Sequence, residues 1–128
     1  MIVDATAVTS IFLRKPGCER LIDALANAHF AGIGAPTLAE ASLLVAREAG
    51  RDVHGMVARF VQEFGLQVVP FSDAHFRAAL DAHQRFGKGQ HKAALDFGDC
   101  LAYATARLAQ QPLLCDDRRF AWTDLEIG

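Results

Sequence analysis

The sequence predicts an α/β fold, a three-layer α/β/α sandwich around a mostly parallel sheet of four to five strands. Short β-prone runs alternate along the chain with segments whose apolar residues recur at helical spacing. Strands separated by helices need crossover connections, and these give parallel sheets covered by helices on both faces. At 128 residues, the chain has the size of one domain, so a single domain over residues 1–128 is expected.

The first elements have distinct local signals. Residues 1–3 form a short β-prone run that ends at Asp4, and apolar spacing over residues 5–13 predicts a helix directly after it. Residues 19–28 repeat apolar side chains on one helical face. The apolar, glycine-containing run 30–35 predicts the second strand. Asp4 therefore stands at a junction between a strand and a helix.

The middle of the chain predicts two helices and a third strand. Pro36 in the first turn and Gly50 just past the end are typical of a helix over residues 36–49. Glu40 falls in the first turn of this helix. The elements that follow are a helix over residues 53–64 and a β-branched strand over residues 66–70.

The last part of the chain begins with a capped helix. Ser72 and Asp73 can cap a helix over residues 74–85, and the glycines and lysines of residues 87–92 predict a flexible basic loop. The remaining predicted elements are a helix over residues 97–109, a strand over residues 112–115 and a short edge strand over residues 125–127.

Composition narrows the class of protein. A net charge of −2 argues against coating of nucleic acid by the whole surface, so any RNA contact must use a local basic patch or a bound metal. The three cysteines contain no C-x-x-C pair, which favours reduced thiols in the cytoplasm. The first residues lack a basic leader and no apolar run is long enough to span a bilayer, so no membrane partner is expected.

Acidic residues from distant parts of the chain fall at one edge of the predicted sheet. Asp4 ends a strand and Glu40 begins a helix after another strand, and parallel strands end at the same edge. Asp96 and Asp99 are three residues apart and share one face at the start of a helix. The carboxylates expected to converge are Asp4, Glu40, Asp96, Asp99 and Asp117.

Such a cluster favours a hard divalent cation. Crowded carboxylates repel each other unless a cation is present, and Mg²⁺ or Mn²⁺ prefers oxygen ligands, whereas no histidine and cysteine set suits zinc. A metal held there can activate water and neutralise charge on a phosphodiester. Each acid also has a structural interpretation, as a helix cap or a loop residue, and only the joint pattern favours catalysis.

Several segments stand in a specific order and spacing. They are M-I-V-D-A-T-A at the start, P-T-L-A-E-A at 36–41, V-V-P-F at 68–71, F-G-K-G-Q-H at 86–91, A-L-D-F-G-D-C-L-A-Y-A-T-A at 94–106 and P-L-L-C-D-D-R-R-F at 112–120. Together they resemble the PIN-domain ribonucleases, and within them the VapC toxins of toxin–antitoxin pairs, over essentially the whole chain.

The resemblance implies a PIN-like fold and Mg²⁺- or Mn²⁺-dependent cleavage of RNA, often tRNA or ribosomal RNA. It also implies a homodimer and a VapB-type antitoxin whose tail occludes the active site. The family's metal-binding and catalytic acids correspond to Asp4, Glu40, Asp99 and Asp117, with Asp116 the weaker match for the fourth acid and Asp96 as an auxiliary acid. Relatives often have G-D-D-F at the end of the last of these segments. In an ungapped comparison Arg118 and Arg119 stand where the two aspartates of G-D-D-F would be.

Several other residues have two interpretations from the sequence alone. The basic loop and its neighbours could contact phosphates or could be solvated surface, and Tyr103 and Trp122 are expected in the core rather than stacked on a base. The candidate substrate-binding residues are Thr6, Lys88, His91, Lys92, Arg118 and Arg119. The alternative function is a catalytically silent PIN-like module for binding or dimerisation. A phosphotransfer receiver domain is disfavoured, because no acidic pair follows the first strand.

Overall fold

The computed structural model describes residues 1–128 and consists of short strands joined by helices. The strands are β1 (Ile2–Val3), β2 (Gly32–Gly34), β3 (Gln67–Val69) and β4 (Leu113–Leu114). The helices are α1 (Ala5–Phe12), α2 (Cys18–Ala26), α3 (Ala35–Ala49), α4 (His54–Glu63), α5 (Asp73–Phe86) and α6 (Phe97–Ala109), and a 3₁₀ helix (Arg118–Trp122) follows β4.

The strands form one parallel sheet in the order β3-β2-β1-β4. Ile2 pairs with Gly32 on one side and with Leu113 on the other, so β1 lies at the centre of the sheet. The predicted edge strand over residues 125–127 is reduced to one bridge between Leu113 and Ile127. The predicted α/β fold with a parallel sheet of four to five strands is therefore confirmed.

Two hydrophobic cores lie on opposite faces of this sheet. Ile2 and Leu113 belong to the core formed with α5 and α6, whereas Val3 and Leu114 belong to the core formed with α1 and α2. Neighbouring residues of a strand point to opposite faces, so a two-residue strand contributes to both cores. Helices on both faces explain why the strands are apolar throughout rather than alternating with polar residues.

The C-terminal segment is fastened to α6 by a polar cluster. The buried Tyr103 hydroxyl donates to Asp124 Oδ1 at 2.7 Å, and Asp124 Oδ2 accepts from Arg107 at 2.8 Å and from Arg85 at 3.1 Å. Burial raises the pKa of Tyr103 to about 12, so its hydroxyl keeps its proton. These contacts fix the chain after the 3₁₀ helix against the helical layer.

None of the helices combines the length and the apolar character that crossing a membrane requires.

Candidate active site

The carboxyl ends of the strands place several acids at one edge of the sheet. Asp4 follows β1 and Asp117 follows β4. Glu40 lies in the second turn of α3, the helix that follows β2, and not in the first turn as predicted, because α3 begins at Ala35. Parallel strands end at the same edge, so these side chains approach each other although they are far apart in sequence. The first turn of α6, with Asp96 and Asp99, lies at the same edge, because a Cβ added at Gly98 would meet the Glu40 carboxylate. We call this set of five carboxylates the acidic pocket.

Asp4 is buried and caps helix α1. Its Oδ2 accepts hydrogen bonds from the Thr6 backbone amide at 3.1 Å and from the Thr6 hydroxyl at 2.7 Å. Only 2% of Asp4 is exposed, and burial raises the pKa of its carboxyl despite the Thr6 hydrogen bonds. The negative charge of Asp117 acts in the same direction. The fold thus holds a carboxylate in a place where it is costly without a cation.

Glu40 reaches across to the first turn of α6. A Cβ added at Gly98 would lie 2.7 Å from Glu40 Oε1 and 2.8 Å from its Cδ, closer than real side chains come. Glycine at this position therefore makes room for the carboxylate. Burial raises the pKa of Glu40, and the charges of Asp4 and Asp96 add to the effect, so all three groups share one field.

Asp96 and Asp99 form a reciprocal cap at the start of α6. The Asp99 amide donates to Asp96 Oδ1 at 2.9 Å, and the Asp96 amide donates to Asp99 Oδ2 at 2.9 Å. Asp99 is buried and Asp96 is exposed. Burial raises the pKa of Asp99 to about 7, opposed by the nearby Arg119 guanidinium.

Arg119 connects two of the predicted acids. Its Nη2 donates to Asp99 Oδ2 at 2.8 Å and to Asp117 Oδ2 at 2.6 Å, and its Nε donates to Asp117 Oδ2 at 2.8 Å. The Arg119 hydrogen bonds hold the pKa of Asp117 below its usual value. Arg119 was expected to bind substrate, but its side chain is engaged inside the acidic pocket.

Asp116 and Asp117 point in different directions, which separates the two candidates for the fourth acid. Asp116 Oδ2 accepts from the Ser10 hydroxyl at 2.6 Å, and its carboxylate lies 3.9 Å from Arg20, on the side of α1 and α2. Asp117 faces Arg119 and the pocket. Thr6, a candidate for substrate binding, accepts from the Asp116 amide at 3.0 Å while its hydroxyl donates to Asp4. Its oxygen therefore joins the ends of β1 and β4.

None of the other candidate substrate-binding residues makes a hydrogen bond or ion pair to the acids of the pocket. Lys88 is exposed and Arg118 is exposed. Lys92 Nζ lies 5.3 Å from the Trp122 ring centroid. His91 accepts from the Ala93 amide through Nδ1 at 3.0 Å and packs edge-on against Phe86. Trp122 itself is 51% exposed, so the expectation that it packs in the core is wrong, whereas the buried Tyr103 fits it.

The pocket offers donors that suit a hard divalent ion. Mg²⁺ in proteins takes one or two carboxylates, with water and substrate oxygens completing its shell. As the side chains stand, no three histidine, cysteine or acidic groups lie at metal-coordinating spacing. Arg119 draws Asp99 and Asp117 together, while Asp4 and Glu40 share a negative field without a cationic hydrogen-bond partner. These residues fit an ion that needs few protein ligands.

The raised carboxyl pKa values make the stability of the metal-free protein depend on pH. A carboxyl group whose pKa is higher in the folded chain binds protons preferentially in that state, so lowering the pH stabilises the fold. For Asp99, with a pKa of about 7 against about 3.9 when unfolded, this window lies between those values. We expect the melting temperature in chelator to rise as the pH falls from about 8 to about 5.

Groups with lowered pKa act elsewhere on the pH scale. Asp117 and Asp124 lose their stabilising charge only below the ordinary carboxyl value, outside this window. The variant Asp99→Asn should show a smaller rise, with Asp4 and Glu40 supplying the remainder. A melting temperature that falls from pH 8 to pH 5, or an unchanged slope in the variant, would contradict this assignment.

Two contacts in the acidic pocket could not be predicted from the sequence. The contact between Gly98 and Glu40 joins α6 to α3, and nothing in the local spacing of either segment signals it. The bridge from Arg119 to Asp99 depends on how the segment after β4 folds back over α6. An arginine close in sequence to acids was the one available signal, but it fits an exposed phosphate contact equally well.

Comparison with known proteins defines the class of this site. The PIN domain family model matches residues 1–125. A VapC ribonuclease of Mycobacterium bovis and Ribonuclease VapC36 of Mycobacterium tuberculosis are each 42% identical to this chain over 128 residues, covering 99% of the chain and 92% of each relative. The chain therefore belongs to the VapC ribonucleases of the PIN-domain family.

Solved structures agree with this fold. The chain is similar to Mycobacterium tuberculosis VapC20, described as a sarcin-ricin loop cleaving toxin, with a TM-score of 0.78 and 14% identity over 97% of this chain and 95% of that one. It is also similar to a chain of a toxin-antitoxin complex from Klebsiella pneumoniae, with a TM-score of 0.73 and 15% identity over 99% and 95% of the two chains. At such identities the likeness concerns the fold alone.

Proposed function

We propose that this chain is a divalent-metal-dependent endoribonuclease, the toxin of a toxin–antitoxin pair, which cleaves tRNA or ribosomal RNA in the cytoplasm and stops translation. The observation that carries the proposal is the gathering of Asp4, Glu40 and Asp99 at one edge of the sheet. Family membership supports the RNase activity. The structural neighbour VapC20, which shares the fold, is itself described as a sarcin-ricin loop cleaving toxin.

In this proposal Asp4, Glu40 and Asp99 hold Mg²⁺ or Mn²⁺, with Asp117 and Asp96 at the rim of the site. When bound, the metal supplies Lewis-acid activation of water and neutralises charge on the scissile phosphate. The chain supplies the rigid placement of the carboxylates. Thr6 orients Asp4, and the reciprocal cap between Asp96 and Asp99 fixes the Asp99 carboxylate.

The surroundings of the pocket are suited to RNA. Lys88 lines one hollow with Asp96, and Arg118 lines another with Asp117, so both offer positive charge to phosphates beside the acids. His91 and Lys92 belong to the same loop as Lys88. Trp122, which is half exposed beside Lys92, offers a ring on which an unpaired base can stack. A chain with a net charge of −2 needs such a local patch to approach RNA.

Two exposed apolar surfaces support the proposed protein partners. Phe76, Leu80 and Phe97 on α5 and α6 are 53%, 50% and 80% exposed, and burial of this face by a second copy would form a homodimer. Leu43 and Val68 border an apolar groove between α3 and α4 that suits an apolar segment of a VapB-type antitoxin. The Klebsiella pneumoniae chain with a similar fold belongs to a toxin-antitoxin complex, which supports an antitoxin partner.

A catalytically silent module is the competing proposal, and the ion pairs of Arg119 with Asp99 and Asp117 favour it. The two are separated by inducing the chain in a bacterium, with and without its neighbouring antitoxin gene, and mapping new RNA 5′ ends. We expect growth arrest and discrete cuts that the antitoxin suppresses. The purified protein should cut the same RNA with Mg²⁺ or Mn²⁺ and not with chelator. Growth arrest without cuts would support the silent module.

A further inference from the structure

Arg119 makes several hydrogen bonds in and beside the acidic pocket, and binding a substrate phosphate would require breaking them. Besides its bonds to Asp99 and Asp117, its Nη1 donates to the Ala94 carbonyl at 2.9 Å. A guanidinium has five N–H donors, and four donations are accounted for here. Little donor capacity remains for a phosphate, so the side chain serves the pocket itself.

The Arg119 guanidinium also compensates the charge of some carboxylates of the acidic pocket and not of others. Two of the five carboxylates, Asp99 and Asp117, share its positive charge through bonds of 2.8 and 2.6 Å. Asp4 and Glu40 lie in one negative field and make no hydrogen bond to Arg119 or to another cation, and Glu40 contacts the first turn of α6. A divalent ion at the Arg119 side would have to displace a charge-assisted pair, whereas an ion at the Asp4 side would not.

We propose that the Arg119 guanidinium balances the negative charges of Asp99 and Asp117, as a second divalent ion would, and that a single divalent ion binds beside Asp4 and Glu40. This inference rests on the metal dependence proposed above. Asp99 remains available to that ion, because both hydrogen bonds to its carboxylate use Oδ2 and leave Oδ1. Arg119 is in this sense a positioning residue that sets how many ions the pocket takes.

The experiment counts Mn²⁺ ions bound per chain by electron paramagnetic resonance of the free ion, with calorimetry for affinity. We expect one ion in the wild type and two in Arg119→Gln. The first ion should also bind about tenfold or more tightly in the variant, because a nearby positive charge that repels it is gone. Arg59→Gln is the matched control: it removes the same charge from an exposed residue of α4 that has no assigned role in the site. It should bind one ion with wild-type affinity.

Other outcomes separate this inference from the proposed function. One ion in both the wild type and Arg119→Gln, with equal affinity, overturns the role of Arg119 and leaves metal-dependent cleavage standing. No ion in any variant overturns both. Arg119→Lys keeps the positive charge but loses the planar guanidinium that binds two carboxylates at once. This variant should still bind one ion per chain.

A second measurement covers the case in which Arg119→Gln does not fold. Crystals of the wild-type protein soaked in Mn²⁺ should show one anomalous peak beside Asp4 and Glu40, with the Arg119 guanidinium still on Asp99 and Asp117. An ion between Asp99 and Asp117 in place of the guanidinium would overturn the inference.

Discussion

The variant Asp4→Asn is expected to abolish divalent-dependent RNA cleavage without unfolding the protein. Asparagine caps helices about as well as aspartate, so it can keep accepting hydrogen bonds from Thr6 at the start of α1. What it removes is a buried negative charge, which in the metal-free protein is costly because burial raises the pKa of Asp4. The melting temperature in chelator should therefore stay unchanged or rise.

Cleavage should fall by about two orders of magnitude or more, since even outer-shell partners of a metal site are worth about 10- to 100-fold. The matched control is Asp52→Asn. Asp52 also accepts a hydrogen bond from the amide two residues later, that of His54 at 2.9 Å, but it is exposed and remote from the acidic pocket. RNA cleavage at the wild-type rate by purified Asp4→Asn would end the proposal of a metal site at this position.

The helices of this protein were largely predictable from sequence because their signals are local. Helix α6 occupies the predicted residues 97–109, with its capping acids at the predicted start. Gly50 ends α3 in the left-handed conformation, with φ of 65°, which glycine adopts without strain. Apolar periodicity and helix caps involve residues that are close in sequence, so the sequence alone is enough to predict them.

The strands were predicted in place but too long. The run 30–35 predicted a strand of which only Gly32–Gly34 pairs with its neighbours. Strand length depends on where partner strands end, and that is set by the whole sheet. The same reason leaves the predicted edge strand as a single bridge at Ile127.

The predicted acids gather at the expected edge, but their partners were not predictable. Which of Asp116 and Asp117 faces the pocket is decided by Ser10 and Arg20, which hold Asp116 on the opposite side. Trp122 lies in an apolar stretch but on a short 3₁₀ helix at the surface. Pairings of this kind depend on tertiary packing, which the spacing of residues in one segment does not encode.

The variant Gly98→Ala is expected to impair RNA cleavage without a loss of stability. An added methyl group would occupy space that the Glu40 carboxylate now fills. The carboxylate is the free end of a flexible side chain, so it should move aside and leave the field that it shares with Asp4 and Asp96. A displacement of about 1 Å at a catalytic group can cost about 100-fold in rate. In the fold itself, alanine is the better helix former by about 1 kcal/mol, so the melting temperature should not fall.

The control for this variant is Gly55→Ala, at the same second position of helix α4, where an added Cβ meets no atom within 4 Å. It should gain the same helix propensity and keep full activity. Whether Gly98→Ala acts through Glu40 is decided by a double-mutant cycle with Glu40→Gln. If displacement of the carboxylate is the cause, the double variant cleaves RNA no more slowly than Glu40→Gln alone. Additive losses in the double variant would instead locate the defect in α6, because Glu40 would then be acting independently of residue 98.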